Sequence, residues 1–149
     1  MTWLMAGELP ISVTALINRN KPEIYKKLDD EATIVLQYPG AQAIVQGSWN
    51  WPYSRKDMKV YGTSGYAIAE DAVTIRLRTN DSELEETSHL NPIPQPYQDP
   101  FTYLAGVVRG TITMEENDLY GLPLNIKVAL ILDAALKSAE EGRTVFISE

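Results

Sequence analysis

Between residues 11 and 89 the chain runs as seven short β-type segments punctuated by turns, and this spacing decides the kind of sheet it can build. Parallel neighbours need a crossover of about a dozen residues or more, so strands joined by short turns must pair antiparallel. In the first run Ile11, Val13, Ala15 and Ile17 alternate with Ser12, Thr14, Leu16 and Asn18, the period of a half-buried strand. Similar runs are expected at residues 32–38, 41–51, 57–61, 65–69, 73–78 and 83–89. The turns between them include Tyr38-Pro39-Gly40, Tyr61-Gly62-Thr63-Ser64-Gly65 and Thr79-Asn80-Asp81-Ser82.

The chain then changes character. Residues 91–100 hold four prolines, which excludes regular helix or central strand there. Asp99-Pro100 supplies an N-cap followed by proline at the first helical position, and Phe101, Leu104, Val107 and Val108 share one helical face, which predicts a helix to about Arg109. A second helix is expected over residues 123–141, with an apolar stripe of Leu124, Val128, Ile131, Leu132 and Ala135 and Gly142 as its stop. Residues 144–148 read as a closing strand. Strands followed by helices predict an α+β fold, an open and mainly antiparallel sheet with helices packed on one face. Runs such as Ala32-Thr33-Ile34-Val35-Leu36 are apolar on both sides, so the open sheet face is expected to be covered by another domain or a second copy. Residues 2–7 read as the last turn of a helix closed by Gly7.

Composition narrows the function. A net charge of -7 with scattered Lys and Arg argues against nucleic acid and anionic membrane as partners. The chain has no cysteine and a single histidine, so neither a disulfide framework nor a multi-histidine metal centre is expected. No apolar run approaches the roughly 20 residues of a spanning helix, and no signal segment opens the chain. These features point to a cytoplasmic protein.

Three segments, taken in order, resemble the carboxy-terminal domain of the Gfo/Idh/MocA oxidoreductase family, which includes glucose-fructose oxidoreductase and inositol dehydrogenases. The first is Ala32-Thr33-Ile34-Val35-Leu36-Gln37-Tyr38-Pro39-Gly40 running into Ala43-Ile44-Val45-Gln46-Gly47-Ser48-Trp49. The second is Val60-Tyr61-Gly62-Thr63-Ser64-Gly65-Tyr66, similar to the family's glycine-x-x-glycine turn. The third lies within residues 125–143 and contains Ile131-Leu132-Asp133-Ala134-Ala135 and Ser138-Ala139-Glu140-Glu141-Gly142-Arg143. The resemblance implies that residues 1–149 form one substrate-binding and dimerisation domain, with residues 1–6 the remnant of a preceding helix. It also implies that NAD or NADP and the catalytic lysine belong to an amino-terminal Rossmann domain. No GxGxxG follows a strand in this chain, and Asn20-Lys21-Pro22 lacks the family's glutamate, so Lys21 reads as a solvated loop residue. The chain alone is therefore expected to bind no cofactor, to carry no catalytic residue, and to be inert.

The segment Ser48-Trp49-Asn50-Trp51-Pro52-Tyr53-Ser54-Arg55-Lys56-Asp57 has the composition of a sugar-contacting loop, since aromatic faces stack on a pyranose while polar groups bond its hydroxyls. Trp51, Tyr53, Arg55 and Lys56 are its candidate substrate contacts, joined by His89 and Tyr97, which flank the proline-rich loop. Alternatively, Trp49 and Trp51, two apart on a strand, point to one face and fill core or a subunit interface. The acidic groups Asp29-Asp30-Glu31 and Glu83, Glu85, Glu86 read as solvated charge. The leading expectation is half of an NAD(P)-dependent sugar or cyclitol oxidoreductase, homo-oligomeric through the open sheet face. A stand-alone dimeric scaffold and a small carbohydrate-binding module stay open beside it.

Overall fold

The computed structural model describes residues 1–115 and 117–147, and the chain divides into two compact units. The first comprises residues 1–50 and 112–149, the second residues 51–111. Strand β1 is Ser12–Asn18, β2 Glu31–Gln37, β3 Gln42–Ser48, β4 Met58–Tyr61, β5 Tyr66–Ala69, β6 Thr74–Arg78 and β7 Glu86–His89. Helix α1 is Pro100–Val108, α2 is Leu122–Glu141, and β8 is Val145–Phe146. The fold is α+β with open antiparallel sheets, as the sequence predicts. The strands divide between two four-stranded sheets, ordered β3-β2-β1-β8 and β4-β5-β6-β7.

In the first unit, register follows the hydrophobic pattern. Val13 pairs with Leu36 and Ala15 with Ile34, and these pair onward with Ala43 and Val45. This face receives α2, which packs on β1 and β8 through Ile131, Ala134 and Ala135. The opposite face carries Thr14, Leu16, Val35 and Ile44.

Residues 2–7 do close like a helix end, with Gly7 left-handed at φ 79° as the sequence suggests and Ala6 left-handed just before it. Gly7 N–H donates to Thr2 O and Ala6 N–H to Trp3 O, a Schellman pattern that places Ala6, with φ 50°, where glycine is usual. Helix α2 ends conventionally, with Gly142 at φ 63°.

The strand expected over residues 41–51 stops at Ser48. Trp49 N–H donates to Asp30 O, and Asn50 N–H donates to the Ser48 hydroxyl. The first bond carries the β2–β3 register one pair further and the second opens the loop that follows, so Trp51 lies beyond the strand and is not a two-apart neighbour of Trp49 on it. Residue 148, expected in the closing strand, lies outside the described residues.

In the second unit β4 to β7 form a meander. The β4–β5 turn needs glycine: a Cβ on Gly65 would stand 2.1 Å from Arg78 O. Asp99 caps α1 as expected, accepting the N–H groups of Phe101 and Thr102.

Candidate functional site

All six candidate substrate contacts fall in the second unit. Trp51 is half-buried, and the Arg55 guanidinium lies over its indole ring, 5.1 Å from the centroid. Arg55 is held there by Asp57, with Nε 2.5 Å from Oδ1 and an Nη2–Oδ2 hydrogen bond of 3.1 Å. The Asp57 hydrogen bond pushes the guanidinium pKa up, and the same bond holds the Asp57 carboxyl below its ordinary range. Tyr53 is 85% exposed, and Lys56 is exposed as well.

His89 ends β7, where Nδ1 lies 3.4 Å from the Thr74 hydroxyl. Thr74 also donates to Asp71, whose carboxyl is held low by the N–H groups of Val73 and Thr74. Tyr97 lies in the proline-rich segment and packs against the buried Tyr103, ring centroids 5.5 Å apart.

Sheet register relates these groups. Met58 aligns through Ala69 and Ile75 with Ser88, so the segment entering β4 and the end of β7 lie at one end of the sheet. They stand on opposite edges, separated by β5 and β6, a span of about 14 Å at three strand spacings.

Between those edges lies a polar sheet face to which the sequence reading assigned no role. Tyr61, Tyr66 and Arg78 share one row, and Lys59, Ile68, Arg76 and Thr87 the next. The Tyr66 hydroxyl donates to Glu85 Oε2 at 2.7 Å, and Arg76 Nη1 bonds both Glu85 oxygens at 3.1 and 3.2 Å. Arg76 Nε stands 2.8 Å from Glu70, an ion contact rather than an aligned hydrogen bond. Hydrogen bonds from Tyr66 and Arg76 hold the Glu85 carboxyl low, and the same bond pushes the Tyr66 hydroxyl up. Glu85, read from sequence as merely solvated, is thus the hub of this array. The period-two spacing of Thr74, Arg76 and Arg78 was the available signal, since it sets all three on one face.

The chemistry of this unit suits binding. Asp57, Glu70 and Glu85 are paired with arginines, and the unit's tyrosine, arginine, lysine and histidine groups can exchange hydrogen bonds with a polyhydroxy ligand. Among the described residues no group of three or more His, Asp or Glu could hold a metal ion. All strand pairs among them are antiparallel, so these residues do not form the parallel βαβ cradle that receives a dinucleotide pyrophosphate. None of the helices among them is long and apolar enough to cross a membrane.

Two antiparallel sheets, with a long helix on the first, make up this α+β fold. Residues 1–68 match the GFO/IDH/MocA C-terminal domain, the family that the sequence resembles. No curated protein matches the chain in sequence. Among solved structures it is similar to a candidate oxidoreductase from Thermotoga maritima, at 19% identity and a TM-score of 0.74, over 98% of this chain and 43% of that one. An aldose-aldose oxidoreductase from Caulobacter crescentus, complexed with glycerol, aligns at 20% identity and TM-score 0.68, over 96% of this chain and 43% of that one. A candidate myo-inositol dehydrogenase from Sinorhizobium meliloti 1021 aligns at 23% identity and TM-score 0.62, over 99% and 46%. The chain thus spans less than half the length of each of these structures.

Proposed function

We propose that this chain is the substrate-binding and oligomerisation part of an NAD(P)-dependent oxidoreductase acting on a sugar or cyclitol. The observation that carries the reading is the match of residues 1–68 to the GFO/IDH/MocA C-terminal domain, joined to a shared fold over nearly the whole chain. NAD or NADP supplies the hydride chemistry and is held by a Rossmann domain outside these 149 residues; this chain alone is inert. Trp51, Tyr53, Arg55, Lys56, His89 and Tyr97 contribute substrate contacts, with Tyr53 offering an open ring for stacking and the charged groups bonding hydroxyls. The similarity to an aldose-aldose oxidoreductase and a candidate myo-inositol dehydrogenase favours a polyhydroxy substrate. The exposed outer face of the first sheet serves subunit association, and the protein works in the cytoplasm.

An antibody against this chain, used to size the native polypeptide in source cells, tests the reading. A product more than twice the chain's 16.6 kDa supports it. A product of the chain's own size refutes it and leaves a scaffold or carbohydrate-binding module. Titration of the larger product with myo-inositol and glucose, in the presence of NAD or NADP, then reads substrate and cofactor choice directly.

A further inference from the structure

The strand edges of this protein are unequally protected. Exposed edges offer unpaired N–H and C=O groups, and proteins usually blunt them with charge, brevity or a covering element. Among the described residues, three of the four edges are blunted in those ways. Strand β8 is two residues long, β4 carries Lys59 with Asp57 just before it, and β7 carries Glu86 and His89. Strand β3 has no such device. Its seven residues, Gln42-Ala43-Ile44-Val45-Gln46-Gly47-Ser48, hold no charge and no proline, and it terminates the first sheet. Ile44 is 61% and Val45 42% exposed.

We propose that β3 is a pairing edge for a second copy of this chain, running antiparallel about a two-fold axis at Val45. The sequence is self-complementary in that register: Val45 faces its own copy, Ile44 faces Gln46, Ala43 faces Gly47 and Gln42 faces Ser48. A chain of net charge -7 repels its copy over most of its surface, and an uncharged edge is where that repulsion is least. The pairing joins two four-stranded sheets into one of eight strands and satisfies the open backbone groups of both edges. It also sets Leu16, Val35 and Ile44 of both copies on one continuous face, because strands paired in this way keep their faces in common. The proposal concerns the sheet edge, so it stands apart from the face-mediated association proposed above and from any reading of substrate.

Sedimentation equilibrium on the whole chain tests it. The wild type should show at least twice the monomer mass, with the edge contact adding to any association through the sheet face. Val45→Lys and Val45→Glu each place like charges opposite one another across the axis and should weaken dimerisation by about tenfold or more. Mixing the two variants sets Lys against Glu and should restore the dimer, which also shows that both variants fold. Leu16→Lys, on the outer face of β1, should leave the edge dimer intact. A wild type that stays monomeric at millimolar concentration overturns the proposal, as does failure of the mixture to associate. A dimer that survives Val45→Lys but dissociates with Leu16→Lys overturns it too, and assigns association to the sheet face.

Discussion

Ser138 is a polar residue inside a helix, 1% exposed, and its hydroxyl joins two elements 123 residues apart in sequence. Its Oγ accepts the Ala15 N–H at 2.9 Å and donates to Arg143 O at 2.7 Å. Strand β8 is so short that it pairs only with Ser12 and Val13 of β1. Ser138 therefore supplies the acceptor for Ala15 that a longer strand would have provided. Replacing it with alanine orphans a buried donor, at a cost of about 1–3 kcal/mol. Arg143 is exposed, so water can replace the bond to its carbonyl. Alanine recovers about 0.5 kcal/mol in helix propensity. The net destabilisation is about 1–2 kcal/mol, which for a chain of this length lowers Tm by roughly 3–6 °C. Urea unfolding should show a lower midpoint with unchanged slope, and hydrogen exchange should show selective loss of protection at the Ala15 amide. An Ala15 amide that stays as slow in Ser138→Ala as in the wild type would refute the reasoning, because some other acceptor must then be present.

Further expectations follow from other single positions. Gly65→Ala drives a Cβ into the Arg78 carbonyl, so it should cost about 1–3 kcal/mol and loosen the β5–β6 ladder, read as faster amide exchange at Ile68 and Arg76. Ala6→Gly relieves a left-handed alanine worth about 1–2 kcal/mol and adds about 0.5–1 kcal/mol of chain entropy cost, for a net gain of about 0.5–1 kcal/mol in urea titration. Acid should destabilise the protein through several carboxylates. At Asp30 burial favours the neutral form, but the N–H groups of Asn20 and Lys21, each 2.8 Å away, outweigh it and hold the carboxyl low. Asp57, Asp71, Glu85 and Asp99 are also held low, by partners at Arg55, Val73, Tyr66 and Thr102 respectively. Each binds its proton more weakly folded than unfolded, so its contribution is complete above the ordinary carboxylate pKa of about 4 and fades as pH falls through the folded value. A pH series of thermal melts should therefore decline on the acid side of that value, and Asp30→Asn should flatten part of the decline.

What the sequence discloses here is what acts over short range. Asp99-Pro100 marked the start of α1, Gly142 the end of α2, and the alternation of β1 its buried face, because each depends on residues within a turn or a pleat. Register along β1, β2 and β3 follows from the same alternation, since a slip of one residue would move Val13 and Leu36 out of the core together. The division into two sheets was hidden because it rests on strand pairing, with β3 joined to β2 and β4 to β5, and the role of Asp30 was hidden because its carboxylate holds the distant Asn20 and Lys21 N–H groups. A run Asp29-Asp30-Glu31 looks like solvated charge until the loop folds back onto it. The candidate site divides along the same line. Residue type alone singled out Arg55 and His89, but their placement on opposite edges at one end of a sheet is a consequence of strand order. The array of Tyr66, Arg76 and Glu85 joins strand β5, strand β6 and the segment before β7, so no local window of sequence contains it. Its residues are legible as one surface only once the meander sets their rows side by side, which makes sheet topology, rather than any motif, the feature that assembles this polar face.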